Sequence, residues 1–452
     1  MLLNHIKTAW RSLRRYKAFS AINIFGLALG MTCSLLILLW VQDERGMDGF
    51  HVHGKQLYQV YERDYYDGKI DAGYPTQGLL AEELKRVVPE IQYASGMESA
   101  AAPGASNTIE AGDRINKMNG SFAGADFFRM FSYHLLQGRP ETAFNAPGVI
   151  AISRKMATLF FGSPEQAIGK SLRFDNTETL QVSAVFEDLP ANSSLQFDFL
   201  RSWTDFIKQN DWVNNWGNSD PNTYVQLRAE ADPARVEAKV KDFIYRYKPR
   251  NEGSLTELAL QSFPEKHLHS SFKNGRIDGG SIEYVRIFTI IAIFILLIAC
   301  INFMNLATAQ AARRAKEIGV RKVIGAARVS LISQFIGEAL LLTFLSLLAA
   351  LLLSGILLPA FNSLTGKQLS LPVNQPVFWL FSLTILLIIG MIVIYRQLNY
   401  IQTKNIGYDR DNLVYISLEG DLVKKYASFK EEAGRLPGIL SISKMRNSPT
   451  LR

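Results

Sequence analysis

Apolar residues gather in four blocks along the chain, and a long polar stretch separates the first block from the second. A bilayer-spanning helix needs roughly 20 mostly apolar residues, because the hydrocarbon core is about 30 Å thick and each residue rises about 1.5 Å. Residues 20–41 meet this requirement without a charge. Residues 287–312 also meet it, with Asn302 and Asn305 towards the far end. Residues 329–358 carry one acid, Glu338, and residues 377–395 are charge-free. Four spanning helices are predicted.

The flanks orient them. Before the first block stand Lys7, Arg11, Arg14, Arg15 and Lys17 with no acid among them. Between the second and third stand Arg313, Arg314, Lys316, Arg321, Lys322 and Arg328 against Glu317 alone. Both basic segments belong on the cytoplasmic side. Two crossings separate them, so residues 42–286 fall outside, in the periplasm of a Gram-negative cell. A cleaved signal peptide is disfavoured for the first block. Its apolar core is too long, and no A-x-A-like site follows. Ahead of it, Leu2, Ile6, Leu13 and Tyr16 recur at helical spacing with basic residues interleaved. Residues 1–19 therefore suit a helix lying in the interface, or a plain extension of the anchor.

The outer stretch mixes alternating runs with amphipathic ones. Strands are predicted at Tyr58–Arg63, Val149–Ser153, 171–175, Leu180–Phe186 and Thr223–Leu227. Helices are predicted over 78–88 and 233–247, the second capped by Asp232 with Pro233 at its first turn. The fold class is a multi-pass α-helical membrane protein with a large α+β extracytoplasmic domain.

Composition refines this picture in two ways. The two cysteines, Cys33 and Cys300, lie inside apolar blocks, so the outer domain must rely on its core and not on crosslinks. The net charge of +8 is concentrated beside the spans, where anionic lipid accounts for it. No basic stripe with interleaved aromatics points to nucleic acid.

Candidate chemistry is sparse. Pro164-Glu-Gln-Ala-Ile-Gly-Lys-Ser171 comes within one residue of a phosphate loop, but proline replaces the first glycine, and a turn before a strand is the better reading. His267 and His269 would share one face of a strand. Without a third ligand they suit a surface or hinge role better than a metal. No nucleophile elbow, His-Glu-x-x-His or paired-carboxylate cleft occurs. The domain reads as a binding or mechanical element, with no catalytic residue, metal or cofactor assigned.

Several segments taken in order resemble the MacB/FtsX-like ABC permeases, particularly their two-repeat forms. Ile6-Lys-Thr-Ala-Trp-Arg-Ser-Leu-Arg-Arg leading into Asn23-Ile-Phe-Gly-Leu-Ala-Leu-Gly30 is similar to the family's entry helix. Phe50-His51, Leu57-Tyr-Gln-Val60, Phe127-Phe-Arg-Met-Phe131, Ile168-Gly-Lys-Ser-Leu172 and Val185-Phe-Glu-Asp-Leu-Pro-Ala-Asn192 resemble pieces of its periplasmic core. The most specific segment is Ala311-Ala-Arg-Arg-Ala-Lys-Glu-Ile-Gly-Val-Arg-Lys-Val-Ile-Gly-Ala326, with Phe335 and Glu338 after it.

The resemblance implies a non-catalytic permease subunit that relays the ATP-driven motion of a separate ABC-type ATPase to its outer domain. It makes 313–328 the coupling loop, with Arg314, Lys316, Glu317, Arg321 and Lys322 as contacts, where the bare sequence allows a solvated loop equally well. It also implies a permease dimer in the bacterial inner membrane, in contact with lipid. Glu338, costly inside a span, suits a structural pairing near the interface better than ion conduction. The alternatives are a membrane-anchored sensor or scaffold and, with no constellation to support it, an ectoenzyme.

The tail departs from this pattern. Glu431-Glu-Ala-Gly-Arg-Leu-Pro437-Gly-Ile439 resembles Glu82-Glu-Leu-Lys-Arg-Val-Val-Pro89-Glu-Ile91, so residues 396–452 look like the start of a second, truncated outer repeat. Four crossings would leave that repeat in the cytoplasm. A fusion of the family's fourth and fifth helices within 377–395, with an internal loss between them, would resolve the conflict and make this an incomplete permease.

Overall fold

The computed structural model describes residues 14–250, 253–313, 328–376 and 416–444, together with Arg11, 378–380, Thr384 and Met391. The first apolar block forms helix α1 (Lys17–Arg45), which at about 1.5 Å per residue is about 43 Å long. That exceeds the hydrocarbon thickness, so the helix overshoots the apolar block at its C-terminal end. There Asp43 and Glu44 precede the break at Gly46.

The polar stretch folds into a mixed sheet. In chain order its elements are β1 (Leu57–Tyr66), β2 (Lys69–Gly73), α2 (Leu80–Val87), β3 (Ile91–Ser99), β4 (Asn107–Ala111) and β5 (Arg114–Met118). Next come β6 (Gly120–Ala123), β7 (Leu135–Gln137), β8 (Val149–Ser153), α3 (Arg154–Phe161), β9 (Ser171–Phe174) and β10 (Glu178–Phe186). The domain closes with β11 (Phe199–Ser202), β12 (Asn222–Leu227), α4 (Pro233–Val240) and β13 (Ser254–Ser262). The sheet order is β13-β1-β12-β3-β6-β11-β8-β10-β9-β4-β5, with β2 extending β1 and β7 flanking β10. Pairing is antiparallel except at β6/β11 and β8/β10. Asp67-Gly68, both at positive φ, make the two-residue turn between β1 and β2 that such a hairpin requires. A separate hairpin, β14 (Phe272–Lys273) and β15 (Arg276–Ile277), turns on Asn274-Gly275 in the same way.

Each region of the sheet has its own core. On one half, α2 and α4 set Leu80, Leu84, Val236 and Val240 against Val60, Val225 and Leu258. On the other, α3 sets Met156, Ala157 and Phe160 against Ile150, Ile152 and Val182. On the opposite face, where Ala151 and Tyr224 alternate with Ile150, Ile152 and Val225, lies an aromatic cluster built on Phe127, Phe131, Tyr133, Phe186, Phe197 and Phe263. Phe127 touches four rings of that cluster edge-on, tilted or stacked, at centroid separations from 4.7 to 5.8 Å.

After the sheet, α5 (Ser281–Arg313) and α6 (Arg328–Thr365) return to apolar sequence. With α1 they are the three described helices long and apolar enough to cross a membrane. α1 lies between the other two. Leu27, Ala28 and Met31 pack on Ala299, Phe303 and Ala307 of α5, and on Ala339, Leu342 and Ala350 of α6. Ser34 Oγ donates to the Ala292 carbonyl of α5 at 2.8 Å, and Thr32 Oγ1 to the Ala350 carbonyl of α6 at 3.2 Å. Small residues allow this close approach, and hydroxyls bridge it.

The expected strands all fall on observed ones. The helix expected over 233–247 stops at Val240, because the Lys241 carbonyl accepts from Leu258 N of β13; a 3-10 turn follows at Phe243–Arg246. Asp232 caps α4 through Ala234 N at 3.1 Å. His267 and His269 do not stand on a strand: they follow a short helix, Phe263–Lys266. The third span continues through Pro359 to Thr365, past the expected end at 358. Most of the fourth span, of residues 1–19 and of the coupling loop lies outside the described residues. Of the tail, Asp421–Lys424 and Tyr426–Gly434 are helical and exposed.

Phe127 is fully buried at the centre of the aromatic cluster. Phe127→Ala should therefore destabilise the chain by about 3–5 kcal/mol. Denaturation of the detergent-solubilised protein, followed by tryptophan fluorescence, measures this.

Candidate functional site at the helix-to-domain junction

The place where α1 leaves the apolar region gathers more buried charge than any single motif in the sequence suggests. Glu44 is 7% exposed. Its Oε2 lies 2.5 Å from His267 Nε2, and its Oε1 lies 2.8 Å from Lys367 Nζ. Lys367 also reaches Asp43 Oδ2 at 2.6 Å. The His267 hydrogen bond, joined by Lys367, outweighs burial and holds the Glu44 carboxyl at about 2, well below its ordinary 4.5. Lys367 is shifted upward: burial opposes its charge, and the bonds to Asp43 and Glu44 overcome that cost.

Local sequence places each partner. Lys367 follows α6 by two residues, in a loop held by Asn362, whose amide donates to Leu369 O at 2.9 Å and whose Oδ1 accepts from Leu369 N at 3.0 Å. His267 follows the helix Phe263–Lys266, whose Phe263 is fixed in the aromatic cluster. The next residue, Leu268, accepts from Ile282 N in the first turn of α5 at 3.0 Å. All three spanning helices therefore join the sheet domain at one cluster.

Just beyond Gly46, the chain is fastened a second time. Asp48, at φ 58°, donates its backbone N–H to Asn192 O at 2.8 Å and accepts from Ser194 N at 2.8 Å. Asn192 Nδ2 donates to Gly46 O at 3.0 Å. Burial pushes the Asp48 carboxyl up, and burial pulls Lys266 down to about 8. His51 accepts from Ser132 N at 3.1 Å and is packed among Phe50, Phe131, Tyr133 and Phe263. That burial drops its pKa to about 4, so the ring is neutral. Phe50-His51, Phe127–Phe131 and Val185–Asn192, three segments behind the family resemblance, thus meet at this junction or in the core above it.

The intramembrane candidates do not form one group. Asn302 and Asn305 are exposed on α5, while Glu338 is half-buried on α6. Arg314, Lys316, Glu317, Arg321 and Lys322 lie outside the described residues. Among the described residues, no group of three or more His, Cys, Asp or Glu side chains could hold a metal. Sequence reasoning missed Glu44, Asp48 and Lys367. The available signal was the position of Asp43-Glu44 and Lys367, charged residues directly beside apolar blocks on the side away from the basic loops.

Two pH windows separate the two fastenings. The Glu44 pKa is lowered on folding, so its contribution is complete above about pH 4.5 and is lost as pH falls towards about 2. Glu44→Gln should cost about 1–3 kcal/mol near neutral pH, a difference that vanishes across that window. The His51 pKa is also lowered, from 6.5 to about 4. The unfolded chain takes up that proton first, so stability falls as pH drops from 6.5 towards 4, and His51→Gln should remove that slope. Thermal unfolding of wild type and both variants between pH 3 and 8 checks each outcome.

Comparisons with known proteins agree with this architecture. Residues 20–243 match the MacB-like periplasmic core domain, and residues 289–406 match the FtsX-like permease C-terminal domain. A macrolide export ATP-binding/permease protein MacB from Burkholderia pseudomallei is 23% identical over 350 residues, 74% of this chain and 49% of that protein. A pyoverdine export ATP-binding/permease protein PvdT from Pseudomonas syringae pv. tomato is 22% identical over 368 residues, 78% of this chain and 51% of that protein. The chain spans about half the length of these relatives. A solved permease-protein domain from Porphyromonas gingivalis is 21% identical and covers 52% of this chain and 98% of its own, with a TM-score of 0.41. With a periplasmic-core match over the sheet and a permease match over the helices that follow it, the chain belongs to the MacB/FtsX-like ABC permease family.

Proposed function

We propose that this chain is the non-catalytic membrane subunit of an ABC-type export or extraction system, and that it carries the ATP-driven motion of a separate ATPase to the sheet domain. In this reading 313–328 is the cytoplasmic contact, with Arg314, Lys316, Glu317, Arg321 and Lys322 meeting the ATPase. Residues 42–286 are periplasmic, and the subunit works as a dimer among the lipids of the bacterial inner membrane. One observation supports it above the others: Glu44, His267 and Lys367 tie all three described spans to the sheet domain at one point. A shift of any span would pull on that cluster. α5 is the direct route, because it runs unbroken from the junction to Arg313 at the edge of the basic loop.

The relatives' names join ATP binding to a permease. In the reading proposed here the ATP-binding part is a separate chain, as the family resemblance implies. A membrane-anchored sensor or scaffold is the alternative, and the two readings part at the basic loop.

Affinity purification from native membranes should bring down a nucleotide-binding subunit. Reversing Arg321 and Lys322 to glutamate should cut its recovery at least about tenfold, as expected for losing two or more interface charge contacts. Lys367→Met should leave recovery intact but abolish stimulation of the bound ATPase by the permease. If the chain comes down alone and the reversal changes nothing, the sensor reading gains.

A further inference from the structure

The seam between α1 and α5 contains an amide that the packing does not explain. Asn23 is 1% exposed, and among the described residues neither its oxygen nor its nitrogen has a hydrogen-bond partner. Inside an apolar helix bundle that is a costly placement, which a partner one residue type away would relieve. About one turn along α1, a Cβ on Gly26 would stand 3.4 Å from Asn302 Nδ2 of α5. A further turn along, Gly30 seats Ala299: a Cβ on Gly30 would come within 2.4 Å of the Ala299 Cβ. The two helices run antiparallel, since Ser34, Gly30 and Gly26 meet Ala292, Ala299 and Asn302 in turn.

Gly26-Leu-Ala-Leu-Gly30 thus offers two notches four residues apart, with Ala299 in one and the Asn302 amide beside the other. We propose that this seam is a two-position ratchet. In the second position, α5 has moved along α1 by one helical turn, about 5.4 Å, towards the α1 N-terminus. Ala299 then occupies the Gly26 notch, and Asn302 arrives beside Asn23. Each amide carries both a donor and an acceptor, so the pair satisfies in one position the groups that Asn23 leaves bare in the other. Packed helices change register in discrete steps because the intermediate positions clash.

The same step moves the first turn of α5 away from α1's exit. Leu268 is bonded to that turn and His267 precedes it, so the 2.5 Å contact between His267 and Glu44 cannot survive the step. Seam and junction change state together. Asn23 and Asn302 are positioning residues for this motion and touch no cargo.

The ratchet rests on the permease reading for its driver, but its test needs only the full chain in nanodiscs. In a Cys33→Ser, Cys300→Ser background, a protease site is inserted at the exposed turn around Gly104, so that α1 and α5 fall on different fragments. The pair Ser34→Cys with Ala292→Cys, which leaves both glycine notches empty, reports the observed register. Ser34→Cys with Thr289→Cys, one turn earlier on α5, reports the second. Both pairs should give a disulfide-linked product on a non-reducing gel. Adding Asn23→Leu should reduce the Ser34–Thr289 product by about three- to tenfold, the worth of one interhelical hydrogen bond, and leave the Ser34–Ala292 product undiminished. Absence of the Ser34–Thr289 product beside a strong Ser34–Ala292 product overturns the proposal. So does a yield that ignores Asn23→Leu, or the absence of both products. None of these results alters the ATPase co-purification, so failure here and failure of the permease reading are distinguishable.

Discussion

A carboxylate buried at the mouth of a helix bundle must be paired, and much of this structure answers to that constraint at Glu44. Burial alone would favour the neutral acid; His267 and Lys367 reverse the preference by supplying donors from two other parts of the chain. The partners are 223 residues away in the sheet domain and, for Lys367, beyond the third span. Removing Lys367 leaves Glu44 on His267 alone, and removing Glu44 leaves Lys367 on Asp43 alone, so each loss weakens the compensation of a desolvated charge. The members of the cluster thus support one another as one fastening.

The second fastening has a different character. Asp48, Asn192 and Ser194 bind mainly backbone groups, and His51 is neutral among aromatic rings. It is built on hydrogen bonds and ring packing, and protonation of His51 weakens it. The sheet domain is thus joined to α1 by one contact that motion can break and another that keeps the first residues of the domain in place. This division suits a part that must move relative to the bundle without coming loose at its base.

The first three spans were legible because about 20 apolar residues in a row have few other solutions in water or lipid. Val149–Ser153 was legible as a short β-branched run suited to a strand buried on both faces, and Leu180–Phe186 as an apolar run that starts in alternation. Asp232 announced α4 through its capping chemistry. The junction was not legible: Glu44, His267 and Lys367 are ordinary charged residues whose meaning comes from a meeting across 223 residues and a span. Asn23 escaped notice for another reason. An uncharged amide barely dents a hydropathy window, and only packing shows that among the described residues it has nothing to bond. The histidine pair was placed on a strand because spacing alone cannot separate a strand from the turn that follows a short helix.

The strand that opens the domain pairs with the strand that closes it, Tyr58 opposite Ser262 and Tyr66 opposite Ser254. Tyr65 and Glu257, bonded across this ladder, are 192 residues apart. At ordinary synthesis rates about 10 to 40 s separate the appearance of the two. Throughout that interval β1 has no β13 beside it, and its Tyr-rich edge can recruit foreign strands. Biogenesis of this subunit accordingly places a demand on whatever shields nascent chains outside the ribosome, and the demand ends only when Ser262 has been delivered.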